Sequence, residues 1–110
     1  MPKYAVFFTF RPKAVNSLIA TPSDRAAVVR TLCESAGGRM ESYYLMLGSQ
    51  YDGFIVIEVP DSATLTALSL AVTSSGSFSH VESHELVESG DLAGILSKAS
   101  GLTYTPPGDE

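Results

Sequence analysis

Tryptophan is absent from this chain, and cysteine occurs once, at Cys33. A single thiol rules out an internal disulfide and suits a reducing, cytoplasmic compartment. Basic residues are also few: seven Lys and Arg against twelve Asp and Glu give a formal net charge of −5. They are scattered without a run, so the basic face that gives affinity for nucleic acid or an anionic membrane is missing. No run of about 18 apolar residues occurs, which excludes a membrane-spanning helix. The first eleven residues lack the long apolar stretch and small-residue cleavage site of a signal peptide and read as a strand. Phosphate-cradling glycine motifs are missing too, because Gly37-Gly38 follows a helical pattern instead of opening one.

Apolar residues, by contrast, are plentiful. They make up 45% of the 110 residues, and charged ones only 17%. A chain this short buries only about two-thirds of its surface on folding. Surplus apolar surface ends up at a subunit interface or in a ligand pocket. Self-association is the first expectation.

Periodicity places the elements. Tyr4 to Phe10, dense in aromatic and β-branched residues, is the first strand and stops at Arg11-Pro12. Lys13 to Ala20 reads as a short helical turn. Thr21-Pro22-Ser23-Asp24 then starts a helix, with Thr21 as cap, Pro22 in the first helical position and Asp24 at the capping-box position. Val28, Val29, Leu32, Cys33 and Ala36 form its stripe. Arg39 to Leu47 is the second strand, Gly48-Ser49-Gln50 a turn, and Tyr51 to Val59 the third strand. Asp61 caps a helix carrying Leu65, Leu68, Ala71 and Val72. Ser74 to Ser77 breaks it. Phe78 to Val87 is the fourth strand, Ser89 to Ser100 a last helix, and Gly101 to Glu110 a loose tail beyond a domain of residues 1–100.

The order β-α-β-β-α-β plus a C-terminal helix is the ferredoxin-like α+β arrangement, a four-stranded antiparallel sheet with both main helices on one face. Strands one and three are apolar at consecutive positions, whereas a sheet with one face in water alternates. Two helices cannot cover both faces. The second face needs a partner, and a second copy packed sheet to sheet would supply it.

Met1-Pro2-Lys3-Tyr4, Arg25, Gly37-Gly38, Ser42, Tyr44, Leu47-Gly48, Tyr51-Asp52, Glu58 and Pro60-Asp61 together resemble the bacterial GYD-domain proteins, over most of residues 2 to 98. That family is similar to the dimeric α+β barrel proteins, in which two sheets close into one barrel. The resemblance implies a homodimeric barrel and says far more about fold than about function. Barrel proteins of this kind include cofactor-free monooxygenases, isomerases, haem enzymes and ligand sensors. Two departures stand out. Gly48 and Tyr51 are separated by two residues where the family usually has one, and strand four carries His80 and His84.

Those histidines lead the candidate chemistry. On a strand, Phe78, His80, Glu82, His84 and Leu86 alternate onto one face. A histidine and a carboxylate can bind a metal or act as a base and its orienting partner. Residues four apart lie about 13 Å from each other, so His80 and His84 cannot share one ion. No metal site and no cofactor is therefore expected, and the bland alternative is a polar edge strand. Tyr43, Tyr44 and Tyr51 could present a hydroxyl to a substrate, and Arg25 could clamp a carboxylate. Tyr44 is the favoured tyrosine. Alternatively these rings only pack with Phe7, Phe54 and Met46, and Arg25 pairs with Asp24. Asp52 reads as a turn cap, and Cys33 as a buried, inert thiol.

The function expected is a homodimeric barrel binding a small, mostly apolar organic ligand, with Tyr44, His80, Glu82, His84 and Arg25 as contacts. Binding alone and catalysis stand level. The alternatives are a cofactor-independent monooxygenase or isomerase, which the missing tryptophan weakens for the oxygenase, and a ligand-free oligomer-forming unit.

Overall fold

The structure, a computed structural model, describes residues 1–110. Pro12 brings no N–H to a sheet ladder but suits the first turn of a helix. Strand β1 (Lys3–Phe10) accordingly ends before it, and helix α1 (Pro12–Ala20) begins on it. This helix spans the short helical stretch expected at Lys13 to Ala20 and begins one residue earlier, on the proline. Its presence moves the start of α2 (Arg25–Ser35): Thr21 is used up ending α1, and Asp24 becomes the cap, accepting from the Ala27 N–H at 3.2 Å. Strands β2 (Arg39–Leu45) and β3 (Gly53–Glu58) follow, each shorter at the turn than the apolar pattern suggests. Helix α3 (Ser62–Thr73) is capped as expected, Asp61 accepting from both the N–H and the hydroxyl of Thr64 at 2.8 Å. Strand β4 (Phe78–Glu85), a 3-10 turn at Ser89–Asp91 and helix α4 (Leu92–Ser100) complete the chain.

The four strands form one antiparallel sheet in the order β2-β3-β1-β4. This is the α+β, ferredoxin-like architecture. Tyr4, Val6, Phe8 and Phe10 of β1 alternate toward the helices. There they meet Ile55 and Ile57 of β3, Cys33 of α2 and Leu68 of α3 in one core cluster. Burial holds the Cys33 thiol above its ordinary range, so it stays protonated and inert.

The opposite face carries no helix. Cross-strand partners share a face, so the register assigns it: Ala5, Phe7 and Thr9 of β1 stand beside His84, Glu82 and His80 of β4, and Phe7 stands beside Phe54 of β3. Tyr44 of β2 lies opposite Phe54 on the same face. An aromatic row thus crosses the open side: Tyr44 to Phe54 at 5.6 Å between centroids, Phe54 to Phe7 at 5.5 Å, and Phe7 to Tyr51 at 5.3 Å.

One expectation fails. Phe78 does not share the histidine face, because a bulge between Thr9 and Phe10 shifts the ladder and sets Phe78 opposite Phe10. The two rings stack at 5.2 Å on the helix side. An extra residue in one strand turns every later side chain over.

The C-terminal arm leaves the body of the domain. The radius of gyration is 17.6 Å, against about 13 Å for a compact chain of this length. Helix α4 packs mainly on the 3-10 turn before it, and Leu92, Ile95 and Leu96 stay exposed. No helix is long and apolar enough to cross a membrane.

Candidate functional site

The turn between β2 and β3 builds the site. Gly48 takes φ +88°, a left-handed conformation that side chains disfavour. The chain then doubles back, with the Met46 N–H donating to the Asp52 carbonyl at 2.8 Å. Asp52 fastens this turn to the end of β1. Its carboxylate accepts from the Phe10 N–H at 2.8 Å, and its own N–H donates to the Phe8 carbonyl at 2.8 Å. The Thr9 hydroxyl adds a bond to the Gln50 carbonyl at 2.9 Å, so the extra residue of the turn is tied down. Asp52 is the structural cap that its place in a turn suggests.

That fastening aims Tyr51 across the open face. Its hydroxyl donates to Glu82 at 2.8 Å. Glu82 also receives His80 Nε2 at 2.7 Å and His84 Nε2 at 2.5 Å, one on each carboxylate oxygen. The four residues form one cluster, bordered by Phe7, which meets His84 edge-on at 6.0 Å. His84, then His80, then Tyr51 hold the Glu82 carboxyl down to about 2. The bond to Glu82, followed by burial, pushes the Tyr51 phenol up.

Glu82 is therefore ionised at neutral pH, and an ionised carboxylate only accepts hydrogen bonds. Each histidine must present a protonated Nε2 to it. In a neutral imidazole this leaves the Nδ1 lone pair free for a ligand, and no protein group occupies it. The rise along β4 separates the backbones of His80 and His84, yet both imidazoles converge on the one carboxylate between them. No group of three or more His, Cys, Asp or Glu side chains is placed to hold a metal.

The candidates from sequence are split between two places. His80, Glu82 and His84 come together, and Tyr51 joins them in place of Tyr44. Tyr44 shares their face but sits on β2, three strand spacings or about 14 Å from β4. Arg25 lies on the helix side with Tyr43, the other side of the sheet altogether. It does not pair with Asp24, whose carboxylate is spent on the α2 cap. The signal for Tyr51 was its place next to Asp52, but its reach depends on strand register.

The low Glu82 value has a measurable consequence. A carboxyl whose folded value is depressed adds stability above its unfolded value, near 4.5, and loses it as pH falls toward about 2. Carbon-detected NMR should show the Glu82 carboxyl titrating near about 2. In His84→Ala and Tyr51→Phe that titration should move up toward the ordinary carboxylate range. An unchanged titration in both variants would show that these groups do not hold the charge.

Among curated proteins none matches this sequence. The model of the GYD domain matches residues 4–96, from β1 into α4. Gly48, Tyr51 and Asp52 each have a distinct task in the turn that carries the site, and with most of its length matched the chain belongs to the GYD domain family.

Proposed function

We propose that two copies of this chain pair through their open sheet faces and enclose a site for a small, mostly apolar organic molecule. The observation that carries this reading is the Tyr51–Glu82–His80–His84 cluster, set in an aromatic row on the face the chain's own helices leave bare. Aromatic walls with a few convergent polar groups are the usual make-up of a small-molecule site. The apolar side of α4, exposed at Leu92, Ile95 and Leu96, adds to the case for a partner. A helix of nine residues is marginal in water without a surface to pack on. Tyr44, distant from the histidines within one chain, reaches such a site only from the facing copy.

A second reading rests on the free Nδ1 atoms. An imidazole fixed by a carboxylate through its other nitrogen is the arrangement of a general base. His80 or His84 could take a proton from a phenol or an acidic C–H at Nδ1, with Glu82 as the orienting partner. This would make the chain a cofactor-independent enzyme of the isomerase or monooxygenase type.

A thermal-shift screen of small aromatic and acidic compounds tests both readings. Hits are expected to raise the midpoint of the parent by about ten degrees or more, as ligand at roughly a hundredfold its Kd does. They should lose most of that effect in His80→Ala and His84→Ala, and part of it in Tyr44→Phe. Equal stabilisation of parent and all three variants would remove these residues from the site and leave a ligand-free oligomer as the better reading.

A further inference from the structure

The helix side of the sheet holds a cleft that the open-face site does not use. Helix α2 packs on β2 and α3 on β4, and the two helices barely meet. Between them lies a space of about 270 Å³, floored by the sheet and walled by Val28, Leu32, Leu65 and Val72. It falls just below the range of about 300–1,000 Å³ common for small-molecule pockets.

The lining is apolar except at a few positions, and Arg25 is its one charged residue. Arg25 as a residue is half-buried, and its guanidinium makes no ion pair and no hydrogen bond within the chain. Its nearest acidic neighbour in sequence, Asp24, is committed to the Ala27 N–H. Tyr43 lines the same cleft. Burial pushes its phenol up, and the charge of Arg25 pulls against that rise, so the two groups act on each other there. An arginine offers only donors, in a fork that fits a carboxylate on two bonds. One positive charge in a protein of net charge −5 suits a monoanion better than a dianion.

We infer that this cleft is a binding site for a small apolar monocarboxylate, with its tail between α2 and α3 and its carboxylate on Arg25. The site lies across the sheet from the histidine cluster, so it stays open when two open faces pair. It stands or falls separately from the proposed function.

Octanoate is a suitable probe, with 1-octanol as its uncharged counterpart. In NMR spectra at neutral pH, octanoate should shift the methyl signals of Leu32, Leu65 and Val72 and leave the imidazole signals of His80 and His84 in place. Octanoate should bind about tenfold or more tightly than octanol, as a charge-assisted bond implies. Arg25→Gln should abolish that preference while octanol binding persists. The inference is overturned if octanoate leaves the cleft methyls unmoved, or if parent protein binds both probes equally. It is also overturned if the cleft methyls show contacts to α4 of a second copy, which would make the arm the occupant. Loss of the histidine site with these results intact would contradict only the open-face proposal.

Discussion

Gly53→Ala is expected to cost about 3 kcal/mol, enough to unfold a marginal domain at moderate temperature. Gly53 opens β3 directly under the ring of Phe8. A methyl group there would sit 2.5 Å from Phe8 Cζ and 2.7 Å from the Tyr44 carbonyl oxygen. Neither neighbour can give way. Phe8 is wedged between Phe10 and Phe78 at 5.3 and 5.6 Å between centroids, and the Tyr44 oxygen belongs to the backbone of the adjacent strand. Denaturant unfolding would show the effect as a fall in midpoint with little change in slope. A loss under about 0.5 kcal/mol, the range of ordinary surface substitutions, would mean that β3 and β1 are not packed at this register.

The second large effect belongs to the open face. Phe7→Asp and Phe54→Asp place a charge in the centre of the aromatic row, where Phe7 touches Phe54, Tyr51 and His84. If a second copy covers this row, each variant buries an unpaired carboxylate in the interface. Losses at such central aromatic positions are about 2 kcal/mol or more, roughly a thirtyfold rise in the dissociation constant. The core on the other side is untouched, so circular dichroism of the variants should match the parent. Weakened association with retained secondary structure is the expected pair of results. Association as tight as the parent's would place the interface elsewhere.

Much of this could be read from residue order alone, and the failures have definite causes. Consecutive apolar residues in Tyr4–Phe10 and Phe54–Val59 announced a sheet with two apolar faces, and the structure leaves one of them bare. Caps at Asp24 and Asp61 follow from local chemistry, although α1 displaced the first cap by three residues. The bulge that turns Phe78 over is a property of pairing between β1 and β4, and no local pattern encodes it. The same holds for Tyr51, which finds Glu82 only because Asp52 locks the turn onto β1. Tyr43 and Tyr44 are adjacent on a strand and face opposite ways, so only one of them can share a side with Arg25. Tyr43 is the one on the helix side with Arg25.

Sedimentation equilibrium of the purified protein at micromolar concentration bears most directly on the paired open faces. With the aromatic row and the Tyr51–Glu82–His80–His84 cluster enclosed between two sheets, the expected mass is twice the 11.7 kDa of one chain. A well-folded species of 11.7 kDa at that concentration would contradict the paired-sheet site.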